Sequence, residues 1–275
     1  YNLSTGFQSY ENLQLENNDR YQYVLPYYDF NKNLSENFFK GSLNLFSNGT
    51  NQLKDTNNLR SRIVNDVSYK SNDLFNDLGF KNNILINFKN LNSVGKNDSE
   101  YKTSPQIEMM ADFEFASSLP LIKKDEYYNN FLTPKISLRF NPSDMKNYSN
   151  SERKININNI FSNNRLGLGD SLETGRSITL GFDYEKEGLN DINKYFALKL
   201  ATVVRDKEEN SIPKVSTLNR KNSNVFGSIS TKFSKFINFN YEFALDNDLQ
   251  TLEYNSFRTS LNLNNFQTTF NFLDK

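Results

Sequence analysis

The residues that could carry chemistry are few and lie close together. In Asn164-Arg165-Leu166-Gly167-Leu168-Gly169-Asp170, two glycines alternate with leucines between a cation and an acid, and Glu173 follows three residues later. Asp170 and Glu173 are the residue types used in paired acid/base catalysis, and the glycines have the look of a phosphate cradle. Context argues against both. The third glycine of a dinucleotide fingerprint is missing, and a strand-like run follows where a phosphate site needs a helix N-terminus. Histidine and cysteine are both absent, which removes histidine general bases, thiol nucleophiles, disulfides and Cys/His metal sites. With no nucleophile to set beside the carboxylates, no catalytic residue, cofactor or metal is expected and the chain reads as a non-enzyme. Asp246-Asn247-Asp248 lacks the spaced ligands and closing Glu of a calcium loop and reads as a turn. Two readings of the glycine-rich segment stay open: a loop folded back on the rest of the chain with Arg165 paired to Asp170 or Glu173, or a direct contact to a ligand.

The elements that must hold this loop are strands. Strict alternation of apolar and polar residues, the mark of a strand with two unlike faces, is clearest in Ile237 to Asp246, Ser177 to Glu185, Leu132 to Asn141 and Ile107 to Phe115. Weaker alternation covers Leu3 to Ser9, Tyr21 to Phe30, Phe38 to Phe46, Arg62 to Lys70, Ile84 to Leu91, Phe196 to Val204, Val225 to Phe233, Leu252 to Leu263 and Phe266 to Leu273. The count is about thirteen, and many runs reach the 9–11 residues that a tilted membrane-spanning strand needs. Turn signals stand at Asn48-Gly49, Asp77 to Gly79, Gly95 to Asp98, Gly188 to Asp191, Asp246 to Asp248 and Asn264-Asn265, as in short hairpins. Two connections are read as long, Leu119 to Asn129 and Pro142 to about Arg176. Lys40, Lys89, Lys135, Arg139, Lys199 and Arg205 fall among apolar neighbours and are expected on a wet inner face, because a charge facing lipid near mid-bilayer costs about 2–4 kcal/mol. Tyr21, Tyr23, Tyr127, Tyr128, Tyr184 and Phe272 sit near strand ends and suit an interfacial aromatic girdle.

Composition fits this reading. Only 36% of residues are hydrophobic and mean hydropathy is −0.71, which by itself would suggest disorder, but 24 Phe and 15 Tyr contradict that. A polar chain rich in aromatics must place its apolar groups on one face, as a membrane β-barrel does. No apolar run is long enough for a transmembrane helix. Thirty-two basic against 32 acidic residues give zero net charge, so no field of one sign collects nucleic acid. No linker divides the chain, and residues 1–275 are read as a single region. It begins at Tyr1 and stops after a strand-like run; both ends are read as cut. With an odd strand count, and barrels built from even numbers, the expected fold is all-β: an antiparallel transmembrane β-barrel, incomplete and part of a larger barrel.

One segment resembles a known family. Leu132 to Asp144 reads LTPKISLRFNPSD and Ile160 to Glu185 reads IFSNNRLGLGDSLETGRSITLGFDYE. A Pro-bearing strand, a long loop and then this pattern resemble the barrel of the LPS-assembly outer-membrane protein family (LptD), with matching positions at Phe161, Asn164, Arg165, Asp170, Glu173, Gly175, Thr179 and Gly181. Tyr21 to Phe30 and the tail Phe236 to Phe272 are similar to other parts of that barrel. The sequence departs from the commoner family form at Leu168, where glycine is usual, and at Ser171, where arginine is usual. The resemblance implies a protein of the Gram-negative outer membrane that translocates lipopolysaccharide into the outer leaflet. It further implies a plug lipoprotein (LptE-type), surrounding outer-membrane lipid, and a periplasmic LPS-bridge component reached through an N-terminal domain missing here. Asn164, Arg165, Asp170, Glu173, Gly175 and Gly181 would shape the loop and contact lipopolysaccharide or the plug. Another outer-membrane porin or ligand-gated transporter, or a soluble β-rich adhesin, remains the alternative.

Overall fold

The computed structural model describes residues 1–14, 17–191, 194–232, 234, 236–263 and 266–274, with the backbone alone for Asn18. Its strands are β1 (Asn2–Glu11), β2 (Tyr21–Ser35), β3 (Gly41–Lys54), β4 (Asn58–Ser71), β5 (Leu74–Phe75), β6 (Lys81–Lys96), β7 (Gln106–Ser118), β8 (Leu121–Lys124), β9 (Tyr128–Asn141), β10 (Gly175–Gly188), β11 (Tyr195–Arg205), β12 (Val225–Lys232), β13 (Ile237–Leu245), β14 (Leu252–Leu263) and β15 (Phe266–Asp274). All pair antiparallel in one sheet ordered β1-β2-β3-β4-β6-β7-β9-β10-β11-β12-β13-β14-β15, with β5 attached to β6 and β8 to β9. The thirteen strands on this path correspond to the thirteen alternating runs. The sheet is all-β and antiparallel, as expected, and it is not closed: among the described residues β1 and β15 each have one neighbour.

The sequence reading needs four corrections. Asn48-Gly49 is not a turn but lies inside β3, paired with Asp29 and Tyr28. Gly49 is there because a Cβ would sit 2.2 Å from the Tyr28 ring; the missing side chain seats an aromatic from the next strand. The segment Leu119 to Asn129 is not an open connection, since β8 folds onto β9 through Leu121↔Leu132 and Lys124↔Asn129. A third long connection, 206–224, was not anticipated. Lys40 is not on a strand; it occupies the turn before β3 with φ of 58°. The proposed turn at Asn264-Asn265 and the strand end at Phe233 lie outside the described residues.

The two faces differ as the alternation requires. Across β9, β10 and β11 the register aligns Leu138 with Ile178 and Val204, and Ile136 with Leu180; Leu138, Ile178, Leu180 and Val204 are solvent-exposed and Ile136 is half-buried, with Leu180 44% exposed and Met109 on β7 71%. On the opposite face lie Lys89, Asp112, Glu114, Ser137, Arg139, Ser177, Thr179 and Arg205, all buried. They are buried because connections 142–174 and 206–224, which leave β9 and β11 at the same end of the sheet, fold over them. The resulting apolar cluster joins Met145, Ile155, Ile157, Ile160, Leu166 and Leu168 of the first connection to Ile212 and Leu218 of the second, and to Ala201, Val203, Phe226 and Ala244 of the sheet. The inner face is therefore partly dry, not the fully wet surface that the composition suggested.

A charge on the open face should therefore be costly. Leu180→Arg is expected to destabilise the protein in a bilayer by about 2–4 kcal/mol, measured by denaturant unfolding in vesicles, whereas Lys199→Arg on the covered face should be near neutral. Equal, small effects would show that the open face meets water and not lipid.

Candidate functional site

The site lies where connection 142–174 meets the covered face. Period two places Arg139, Ser137 and Asn141 of β9, Ser177 and Thr179 of β10 and Arg205 of β11 on that face in direct register, since Ser177 pairs with both Arg139 and Arg205. The loop lays Arg165 and Glu173 on top of them. Arg165 grips Glu173 with two parallel bonds, Nη2 to Oε1 at 2.6 Å and Nε to Oε2 at 2.8 Å, and donates to Thr179 Oγ1 at 2.9 Å and Ser177 Oγ at 3.1 Å. Its side chain is fully buried. Arg139 Nη1 meets Glu173 Oε2 at 3.2 Å and Arg205 Nη1 meets Oε1 at 2.7 Å. A second contact from Arg139 reaches Glu114 Oε2 at 3.1 Å. One carboxylate thus ties three guanidiniums from the loop, β9 and β11. Asn141 Nδ2 holds the Glu173 carbonyl at 3.0 Å, and Arg205 donates to the Thr174 carbonyl.

Of the two partners expected for Arg165, the structure selects Glu173. Asp170 belongs to a second cluster. It accepts hydrogen bonds from the hydroxyls of Tyr101 and Tyr148 and from Lys146 Nζ at 3.3 Å, joining the 97–105 connection to the long loop. Burial would raise the Asp170 carboxyl, but the two phenols and Lys146 outweigh it and hold it below its usual range; burial and the neighbouring carboxylate push both phenols well up. Glu173 shows the same contest more strongly. Burial alone would raise its carboxyl, and Arg165, Arg139 and Arg205 reverse the shift and hold it far below the ordinary glutamate value.

The remaining predicted residues shape the backbone. Asn164 closes its own turn, accepting from Leu168 N at 2.8 Å and donating to Leu168 O at 2.9 Å, while Gly167 supplies a φ of 62°. Gly175 has a φ of 86°, and a Cβ there would lie 2.7 Å from Arg205 Nη2. Gly181 lets the loop approach: a Cβ would meet Leu200 O at 2.6 Å and the Phe161 ring at 3.0 Å. Sequence reasoning placed Arg139, Lys89 and Arg205 on the inner face without joining them to the loop. Lys89 in fact spans Asp66 and the Gly169 carbonyl, at 2.8 and 3.1 Å. Tyr101, Lys146, Tyr148 and Glu114 were not singled out. The only signal for them was polarity on the alternating face or in a connection, which marks a position and not its partner. Asp246 to Asp248 forms the β13–β14 turn, with Leu249 N bonded to Asp246 O at 2.8 Å.

The arrangement cannot bind or turn over a substrate through Glu173, which is saturated by its own chain. It fastens the loop to the wall. Glu173→Gln leaves three buried cations short of their counter-charge and should cost about 3–5 kcal/mol, the usual result of breaking a buried ion pair; loop 142–174 should gain hydrogen exchange and become cleavable by protease while the strands stay protected. Since the folded-state carboxyl titrates below the unfolded one, its contribution is complete above the ordinary glutamate range and fades only as pH falls from there toward the lower folded value, so the loop should remain protected at pH 5. Asp170→Asn should be milder, near 1–2 kcal/mol by the same measurement, because two of its three donors are neutral hydroxyls. Equal effects of the two substitutions would contradict the primacy of Glu173.

No curated protein matches the chain significantly. The family model described as LPS transport system D (LptD) matches residues 1–273, which includes the loop and all of the strand path except Asp274 at the end of β15. The chain belongs to the LptD family, whose members are outer-membrane β-barrel proteins of lipopolysaccharide transport.

Proposed function

We propose that this chain is one continuous region of barrel wall that carries lipopolysaccharide to the cell surface and releases it into the outer leaflet. The observation that carries the reading is the contrast between the faces: exposed Leu, Ile, Phe and Met outside, and inside a charged face fastened to a long loop through Glu173. Such a wall fits an outer-membrane barrel, apolar to lipid and polar to the lumen. In lipid the open edges of β1 and β15 would each carry a row of unpaired amides and carbonyls at several kcal/mol apiece, so in this reading both edges are paired in the membrane. In this reading the long connections lie on the side that barrels turn to the outside, and loop 142–174, which packs on the covered face, would occupy part of the lumen.

In this reading Asn164, Arg165, Asp170, Glu173, Gly175 and Gly181 are anchoring and shaping residues, and lipopolysaccharide or a plug lipoprotein of the LptE type would meet the loop surface they support. A periplasmic bridge component would deliver the lipid. The aromatic residues at strand ends, Tyr21, Tyr23, Tyr127, Tyr128, Tyr184 and Phe272, would mark the interfaces.

Depletion of the full-length protein in its native host tests the function. Newly made lipopolysaccharide accessible at the surface should fall while it accumulates in the inner membrane. Unchanged surface lipopolysaccharide with reduced uptake of a solute would instead assign the wall to a porin or ligand-gated transporter.

A further inference from the structure

The open face is not equally apolar from strand to strand. On β9 its side chains from Leu132 to Phe140 are all apolar, and on β7 so are those from Ile107 to Phe115. The nine residues of each run, at about 3.3 Å apiece, reach about 30 Å along the strand, close at a tilt of about 40° to the apolar band of about 25 Å that a barrel shows to lipid. Three strands in the interior of the sheet fall short of this. On β6 the run is Ile84, Ile86 and Phe88, and Asn90 and Asn92 follow on the same face. Its five residues reach about 17 Å. On β3 Leu43 and Leu45 give way to Ser47, Gly49 and Asn51, and on β4 Ser61 and Asn65 flank Ile63. In all three strands the polar positions lie in the half nearer the long connections.

The patch is neutral. Arg60, Arg62, Asp66 and Lys89 of the same strands take the alternate positions, on the covered face, and Lys96 stands only at the end of β6. The polar groups bond across strands: Ser47 to Asn65, Asn65 to Asn90, and Ser61 Oγ to Asn51 Oδ1 at 2.6 Å. The bonding is incomplete. Asn92 donates to Asn90, but its own Oδ1 accepts no hydrogen bond among the described residues. Against hydrocarbon that oxygen stays unpaired at a cost, whereas water or a lipid headgroup satisfies it. A bilayer also thins to match a wall whose apolar run is shorter than its own hydrocarbon depth.

We propose that beside β3, β4 and β6 the hydrocarbon of the outer leaflet stops short, so that headgroups and water reach the patch from Ser47 to Asn92, while β7 to β11 meet hydrocarbon of full depth. The partner of this surface is a locally thinned leaflet. The proposal rests on the reading of the open face as a membrane face and adds to it an asymmetry around the wall.

The test uses the purified full-length protein with its partner lipoprotein in dioleoylphosphatidylcholine nanodiscs, footprinted residue by residue with mass spectrometry. Ile63, in the middle of the patch, and Leu180 make a matched pair, at 43% and 44% exposure. Hydroxyl radicals generated in the water should oxidise Ile63 about tenfold more than Leu180, as expected where polar reagents reach one and not the other. A diazirine at the end of a lipid acyl chain should label Leu180 and Phe113 and spare Ile63. Combining Ser47→Val, Asn65→Leu and Asn90→Leu lengthens the apolar runs and should lower oxidation of Ile63 to the Leu180 level. Ile63 labelled by the diazirine and oxidised as weakly as Leu180 would place the patch in full-depth hydrocarbon and overturn the proposal. So would an Ile63 reached by neither reagent, which assigns the patch to a covering protein, or one whose oxidation the triple variant leaves unchanged. In each of these cases a protected Leu180 keeps the membrane reading intact. Oxidation of Leu180 as strong as that of Ile63 sinks the membrane reading and the proposal together.

Discussion

Three guanidiniums on one carboxylate are the interaction on which the covered face depends. Removing Arg139, Arg165, Arg205 and Glu173 from water carries a large desolvation cost, which is recovered only if geometry and hydrogen bonding are close to complete. Here they nearly are. Glu173 takes bonds at both oxygens, and Arg165 directs its remaining donors to the Ile160 carbonyl and to Ser177 and Thr179, two residues whose short side chains leave room for it above β10. Arg139 and Arg205 come from strands on either side of β10, so the carboxylate also bridges three neighbouring strands across the face. Only Nε of Arg139 and of Arg205 lack partners among the described residues. An apolar replacement of the whole cluster would pack the loop equally well, but it would not fix which loop residue lies over which strand. The charges supply register, and the surrounding apolar cluster supplies most of the attraction.

Docking the loop in turn determines where this sheet has a core. A single sheet with one lipid face cannot build a core against a second layer, and among the described residues the clusters of buried apolar side chains lie between the sheet and its own connections. The larger joins both long connections to β11, β12 and β13. The smaller sets Val64, Leu91 and Met110 against Tyr101 and Leu172, so the Asp170 cluster, which holds Tyr101 and the loop together, sits above apolar packing of its own. Beyond this cover the sheet thins. Nearly every residue of β1 and all of β15 are exposed.

Strand existence was readable because period two is a direct consequence of pleating: Leu132 to Asn141 had to place Ser137, Arg139 and Asn141 together whatever the partner strand. What failed to show was anything decided across strands. Asn48-Gly49 has the composition of a hairpin turn, yet it is strand, because the space vacated by Gly49 is taken by Tyr28 from β2, and no local pattern encodes a ring arriving from elsewhere. The choice between Asp170 and Glu173 as partner of Arg165 was equally undecidable locally, since both are within loop reach; Tyr101, far away in sequence, engages Asp170 together with Lys146 and Tyr148 of the loop. The connection 206–224 escaped notice because its Ser, Asn and Lys content has no periodicity; of its short turn Lys214–Ser216 only Ser216 is buried, while Ile212 and Leu218 on either side join the apolar cluster.

The abundance of asparagine, which carried no meaning in the sequence, acquires one on the open face. Tyr28 lies within 3.1 Å of Ser47, Ser47 Oγ donates to Asn65 at 2.7 Å, Asn65 to Asn90 at 3.2 Å, and Asn92 to Asn90 at 2.6 Å. These residues share the face of Ile63, Val67 and Phe88, so a row of neutral polar groups crosses β2, β3, β4 and β6 where the neighbouring strands β7 to β11 show mainly apolar side chains. A lone amide facing hydrocarbon would cost several kcal/mol, whereas amides and hydroxyls bonded sideways, strand to strand, satisfy one another and reinforce the pairing beneath them. Asparagine suits this because each side chain is donor and acceptor at once, so the row can continue through any number of strands without a mismatch. A chain whose mean hydropathy is −0.71 can therefore still form a membrane wall: amides and hydroxyls on the open face bond to one another in such a row, and Lys89, Arg139 and Arg205 of the covered face bond to the loop.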